Sequence, residues 1–277
     1  ASAHSHEMTV NQMKALSSAD LFLVNGVDLE HFLDDAVSSS GFHGTMVVSS
    51  GVASANNAKA KDAAYTLDEG DEKVQVAPWP FPPEHGDTPE FQYDPHVWTS
   101  PANAAIQVHN IGAALTDKQP VLKPYVTEYE NRLTKLDDWA RQSLESVPKD
   151  SRVLFTSHDA FGYFSHNYDV TFIGAALSDF NEQQDATAEH IRAAADEVKK
   201  SGAKALFAEN SNNSKSIEAI AQAAGVKAIV GDDALYGDSL GPEGSPGETY
   251  VGSIVHNVST LVDAWGGTPA ELPADLH

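Results

Sequence analysis

Cysteine is absent from the 277-residue sequence, and basic residues are few. The lack of thiols excludes disulfides, thiolate catalysis and cysteine-ligated zinc sites. With 17 Lys and Arg against 40 Asp and Glu, the formal charge is −23, which argues against nucleic-acid binding, since that requires clustered cations. No run reaches the ~18 apolar residues of a membrane span. No secretory leader is visible at the start, as expected if a leader has been removed.

The chain is long enough for one large domain or two moderate ones, and strand and helix patterns alternate along it. Short apolar runs predict strands at 20–24, 45–48, 74–77, 152–156, 170–174, 204–208 and 227–230. Helical spacing predicts helices at 7–19, 27–39, 101–115, 186–200, 213–224 and 249–265. Residues 51–73 and the proline-rich segment 78–95 are predicted to be loops. This alternation indicates an α/β fold with mostly parallel sheets.

The longest helical pattern lies between these two sets of strands. Apolar residues recur at spacings of three and four from Val121 to Val147, which predicts about 27 helical residues and a length of roughly 40 Å. We therefore predict two lobes joined by one long linker helix. The predicted boundaries are an N-terminal lobe at 1–117, the linker helix at 118–148 and a C-terminal lobe at 149–277.

Side chains that bind metals follow several of the predicted strands and loops. His158 comes directly after the apolar run 152–156, at the strand end where α/β sheets place their ligand sites. His96 follows the proline-rich loop, and Asp238 follows the apolar residues near 234. The N-terminal segment 3–7 contains two more histidines, His4 and His6. Three imidazoles and one carboxylate would complete the shell of a borderline metal such as zinc.

Each of these residues also has a structural interpretation. His96 could be a surface histidine in a turn, His158 a capping residue, and Asp238 a helix N-cap with Asp232 and Asp233 as competing carboxylates. His4 lies near the chain terminus, where a histidine is often solvated.

Several segments resemble motifs of the cluster A-I substrate-binding proteins of bacterial ABC importers, the group that binds zinc and manganese. Asp94-Pro95-His96-Val97-Trp98 matches the family's Asp-Pro-His-x-Trp, and residues 157–164 match its third-ligand segment. The similarity runs over nearly the whole chain. Further matches are Asn25 to Glu30, Tyr129-Glu130-Asn131 with Leu136-Asp137, Phe207-Ala208-Glu209 and Tyr236-Gly237-Asp238-Ser239.

The resemblance implies the metal ligands His4, His96, His158 and Asp238, with the metal in the cleft between the lobes. His4 stands where the family has Asp-Pro-His-x-x-Glu-x-Thr, but the Asp-Pro is missing here, so His6 is a rival. The family usually carries a strand and a helix before this first histidine. This sequence has neither, as expected if the chain is truncated, clipped or stripped of a disordered stretch; if that part is truly absent, the N-terminal sheet lacks a strand.

The resemblance also implies the function. Family members with a glutamate at the third ligand position tend toward manganese, whereas His158 here favours zinc; manganese or iron remains the alternative cargo. The expected role is extracytoplasmic capture of zinc, in the periplasm or as a cell-surface lipoprotein, for delivery to an ABC permease. A metallochaperone is a further candidate partner, and a monomer without enzymatic activity is expected. Since binding requires neutral imidazole, affinity should fall below pH ~6.5.

Other interpretations predict different observations. A zinc hydrolase needs an open coordination position, which four protein ligands do not leave, and the sequence has no HExxH helix. A metal-dependent adhesin would use the same fold, but the sequence offers no separate binding module for it. Glu209 could orient a ligand histidine or simply cap a helix or form a salt bridge, and His85 could capture metal transiently or have no role.

Overall fold

The computed structural model describes residues 3–4, 6–30, 33–53, 64–79, 91–177, 186–211 and 213–277. They form two compact units. One unit comprises Ala3–Trp98 and Ala102–Asn131, and the other comprises Thr99–Pro101 and Arg132–His277. Each unit is an α/β lobe with a parallel sheet, which confirms the predicted fold class.

The first unit is built on a three-stranded sheet in the order β1-β2-β3. Its elements are β1 Leu21–Val24, β2 Thr45–Val48, β3 Thr66–Asp68, α1 Val10–Ser17, α2 Asp34–Ser40 and α3 Pro101–Lys118. Thr9 caps α1: its hydroxyl accepts the N–H of Gln12, while the Gln12 side chain accepts the N–H of Thr9. The buried core of this unit consists of Leu16, Val24, Leu33, Val37, Phe42, Met46 and Val48.

The prediction of a helix from Val27 is wrong at its start, because α2 begins only at Asp34. Val27 and Asp28 have φ values of 50° and 62°, in the left-handed region that ends or excludes a helix. The Glu30 carboxylate stabilises this turn by accepting the backbone N–H groups of Asn25 and Gly26. Apolar spacing alone did not reveal that a turn occupies the first part of the pattern.

The third strand also differs from the sequence prediction. The structure has β3 at Thr66–Asp68, within the predicted loop 51–73, and no strand at 74–77. β3 pairs with β2 from Thr45↔Thr66 to Val47↔Asp68. Residues 74–77 instead make isolated backbone hydrogen bonds, including one in which the N–H of Asp94 donates to the carbonyl of Ala77 at 2.9 Å. Because Leu67 is the only apolar residue of this strand, the segment shows no apolar run that could predict it.

The flanks of the proline-rich segment pair with each other. Pro78 and Tyr93 form an isolated antiparallel bridge, and the N–H of Trp79 donates to the carbonyl of Gln92 at 3.2 Å. No longer strand is present in the described flanks, as expected from the density of proline. Residues 80–90, including His85, lie outside the described residues.

The second unit has a four-stranded parallel sheet in the order β5-β4-β6-β7. Its strands are β4 Val153–His158, β5 Thr171–Leu177, β6 Ala205–Phe207 and β7 Lys227–Ile229. The helices that follow β4 are α5 Gly162–Asn167, α6 Ala188–Ser201, α7 Lys215–Ala224 and α8 Tyr250–Ala264. All except the short α5 were predicted. A buried core of Val153, Phe155, Leu206, Ile217 and Ile220, among others, joins the sheet to α6 and α7.

Helix α4, Lys123–Glu145, is the longest element of the described chain, with 23 residues. It is shorter than predicted, because Pro120–Leu122 forms a 3-10 turn before it. The division between the two units falls after Asn131, inside this helix. A separate linker at 118–148 stays a prediction, as do the lobe boundaries at 117 and 149. Among the described residues, no helix has the length and apolar character needed to cross a membrane.

Candidate metal centre

His96 is completely buried in the first unit, and Asp94 holds it in place. One oxygen of this carboxylate, Oδ1, accepts the N–H of His96 at 3.0 Å and lies 2.7 Å from Nδ1 of the same imidazole. An aspartate that accepts the backbone N–H two residues later forms an Asx turn, and the Asp-Pro-His sequence favours this turn. Because Nδ1 faces Asp94, the opposite nitrogen, Nε2, is directed elsewhere.

The turn at residues 25–30 holds the segment before His96. The amide of Asn25 donates to the carbonyl of Pro95 at 3.1 Å, and its own oxygen accepts from Gln107 Nε2 at 2.8 Å. Asp28 Oδ2 accepts the N–H groups of Gln92 and Tyr93 at 3.2 and 3.3 Å. The backbone that delivers His96 is thus fixed by side chains more than 60 residues away in sequence.

His4 meets His96 in the same unit. Its side chain is buried, and the two Nε2 atoms lie 3.1 Å apart. The rings of Phe91 and Trp79 pack around the pair. The ring centroid of Phe91 lies 6.4 Å from that of His4, and the ring centroid of Trp79 lies 6.1 Å from that of His96. His6, the rival from the sequence, is exposed and contacts Gln12 Oε1 at 3.1 Å. The structure therefore brings His4, and not His6, to His96.

His158 is the last residue of β4 and is fully buried, as its position after the apolar run predicts. Its Nε2 lies 3.7 Å from Oδ2 of Asp238, and these two side chains are 1% and 2% exposed. Its Nδ1 faces Glu209 Oε2 at 3.5 Å. The competing carboxylates Asp232 and Asp233 are exposed in a 3-10 turn, so Asp238 is the aspartate that the second unit brings to His158.

Asp238 follows an extended segment that continues the sheet of the second unit. Leu235 forms an isolated parallel bridge with Glu209. The buried Asn257 of α8 then fixes the next residue: its Oδ1 accepts the N–H of Tyr236 at 2.8 Å, and its Nδ2 donates to the Tyr236 carbonyl at 2.9 Å. Asp238 is therefore not a helix N-cap, since α8 begins at Tyr250 with Thr249 as its cap.

The two units share one arrangement of groups. In each, an imidazole presents Nδ1 to a buried carboxylate, Asp94 or Glu209, and Nε2 to a second side chain of a metal-binding type. A carboxylate at Nδ1 is the usual partner that orients a metal-binding histidine. Asp94 was predicted only as part of a motif, without a role of its own, and no role was predicted for Trp79 or Phe91. The spacing of two in Asp-Pro-His was the signal for Asp94.

Each pair by itself can bind a metal only weakly, because two ligands leave half of a tetrahedral shell open. The first pair offers two imidazole nitrogens, and the second offers one imidazole and one carboxylate. These donors suit a divalent ion of borderline softness.

Comparisons with known proteins agree with this chemistry. A family model described as ZnuA, "Zinc-uptake complex component A periplasmic", matches residues 1–264. The manganese-binding lipoprotein MntA of Bacillus subtilis is 28% identical over 268 residues, which are 94% of this chain and 78% of MntA. The zinc-binding protein TroA of Treponema pallidum is 29% identical over 268 residues, 94% of this chain and 77% of TroA. A solved structure of periplasmic zinc-binding TroA superposes with a TM-score of 0.72 at 26% identity, covering 95% of this chain and 87% of TroA.

Proposed function

The chain belongs to the family of ZnuA, the periplasmic component A of zinc-uptake complexes, and we propose on that premise that it captures zinc for an ABC importer. Members of this family are metal-binding substrate-binding proteins of ABC transporters; they are not enzymes. The zinc hydrolase is therefore not favoured. Like its relatives, the chain acts outside the cytoplasm and works with a permease. A metallochaperone partner and a monomeric state stay predictions.

We further propose that His4, His96, His158 and Asp238 together hold one metal ion. The observation that carries this proposal is the burial of these ligand-type side chains as two pairs, one in each unit. Because each pair satisfies only half of a tetrahedral shell, a single ion bound by both pairs would be coordinated far better than one bound by either pair.

Zinc is the cargo that the donor set favours. Three imidazole nitrogens and one carboxylate oxygen match the four-coordinate shells of zinc, whereas manganese prefers more oxygen ligands. The relatives are named for both metals at nearly equal identity, so this preference depends on the ligands themselves. Manganese is the second candidate because it is the named cargo of MntA.

Substitution of the two N-terminal histidines tests the ligand set. We expect His4→Ala to weaken zinc binding by more than about 100-fold, the upper end of the loss for a residue that merely supports a ligand. His6→Ala is the matched control, since His6 is exposed and two residues away, and it should bind zinc like the wild type. Competition with a chromophoric chelator measures both affinities. Equal affinity of the His4→Ala variant and the wild type would remove His4 from the shell.

A further inference from the structure

Glu209 lies two residues after the end of β6 in the second unit and is almost completely buried. Its Oε2 accepts the N–H of His158 at 2.9 Å and the Ser157 hydroxyl at 3.4 Å, and it also faces His158 Nδ1. In return, the N–H of Glu209 donates to Ser157 Oγ at 3.0 Å. One carboxylate oxygen therefore contacts both the backbone and the ring of His158.

The other carboxylate oxygen of Glu209 faces the segment that carries Asp238. A Cβ built on Gly237 would collide with Oε1 of Glu209 and would lie 3.5 Å from Ala160 Cβ. The carboxylate thus occupies the space that any side chain at position 237 would need. The segment is also held at Tyr236 by Asn257, so Glu209 and Asn257 fix two successive residues before Asp238.

We propose that Glu209 is a positioning residue that sets the geometry of His158 and Asp238 together. Its Oε2 favours the tautomer of His158 that carries a proton on Nδ1, which leaves the lone pair of Nε2 for a metal. Its Oε1 packs against the Gly237 backbone and fixes the approach of Asp238 to that lone pair. The proposal deepens the proposed function and rests on it, since it concerns the second ligand pair of the same site.

A capping role alone would make a different prediction. A carboxylate that only satisfies backbone donors at the end of a strand stabilises the fold, but it has no effect on metal coordination beyond that stability. Glu209 contacts both ligand-bearing segments, so its loss should change metal binding at constant fold.

The first test is Glu209→Gln, which keeps the size of the side chain and replaces one acceptor by a donor. We expect zinc affinity to fall about 10- to 100-fold, as for other outer partners of metal-binding histidines. The visible absorption of bound cobalt(II) should change as well, because it reports the coordination geometry. Glu248→Gln is the matched control: this exposed carboxylate also accepts a backbone N–H, that of Gly244 at 2.7 Å. It should leave both readouts unchanged.

The second test is a double-mutant cycle between Gly237→Ala and Glu209→Ala. The methyl group at 237 should weaken zinc binding strongly in the wild type, where it displaces the carboxylate, and much less in the Glu209→Ala background, where space is free. Strongly non-additive effects support direct coupling of the two positions. Additive effects, or a Glu209→Gln variant with wild-type affinity and cobalt spectrum, overturn the proposal.

The outcomes separate this proposal from the proposed function. If the wild-type chain binds zinc and His158→Ala abolishes binding while the Glu209 variants behave as wild type, only the positioning role is wrong. If the wild-type chain does not bind zinc at all, the proposed function fails first. Melting of each metal-free variant identifies any that is unfolded, and Gly237→Ala in the otherwise intact chain provides the readout if Glu209→Ala does not fold.

Discussion

Asp94 has the same relation to its histidine in the first unit that Glu209 has in the second. Its contact with Nδ1 of His96 is the shorter of the two, 2.7 Å against 3.5 Å, and both residues of the first contact are buried. A buried carboxylate is tolerated where it accepts hydrogen bonds, and here it accepts from the His96 backbone as well. Loss of its charge should therefore affect the ligand more than the fold.

The substitution Asp94→Asn removes this charge. The amide can still accept the N–H of His96, but it no longer offers an anionic acceptor to Nδ1. We expect zinc affinity to fall about 10- to 100-fold, measured by chelator competition. Asp68→Asn is the matched control in the same unit, because Asp68 also accepts a backbone N–H two residues on, that of Gly70 at 2.9 Å. An Asp94→Asn variant with unchanged affinity would contradict the orienting role.

At the scale of elements, the sequence predicted the second unit better than the first. Strands β4 to β7 are apolar runs with helices between them, and a buried parallel strand gives this pattern. The end of β4 placed His158 correctly for the same reason. In the first unit, β3 has only one apolar residue, and a left-handed turn at Val27 and Asp28 interrupts an apparently helical stretch. Local patterns do not encode such features.

The first ligand pair was the hardest part of the site to predict. The segment before His96 is held by Asn25, which donates to the Pro95 carbonyl, and by Asp28, which accepts the N–H groups of Gln92 and Tyr93. These contacts join residues about 65 to 70 positions apart, and no periodicity reveals them. The choice between His4 and His6 therefore came from a motif in the sequence and from burial in the structure.

The whole molecule carries a formal charge of −23, which bears on its stability. A large charge of one sign destabilises the compact state through self-repulsion. Salt screens this repulsion, since the Debye length falls from about 30 Å at 0.01 M to about 3 Å at 1 M. The melting temperature of the metal-free protein should therefore rise clearly with sodium chloride over this range. Sucrose at equal osmolality is the control, because it leaves electrostatic repulsion unscreened. A melting temperature independent of salt would contradict this expectation.

The central claim, that two pairs of side chains together capture zinc, depends most on His158. The decisive measurement is calorimetric titration of the metal-free chain with zinc and with manganese, repeated for His158→Glu. His43→Glu is the matched control, since His43 is exposed. We predict one tight zinc site and weak manganese binding in the wild type, with zinc much weakened in His158→Glu only. Unchanged zinc binding in His158→Glu would contradict the ligand set, and tighter manganese than zinc binding in the wild type would contradict zinc as the cargo.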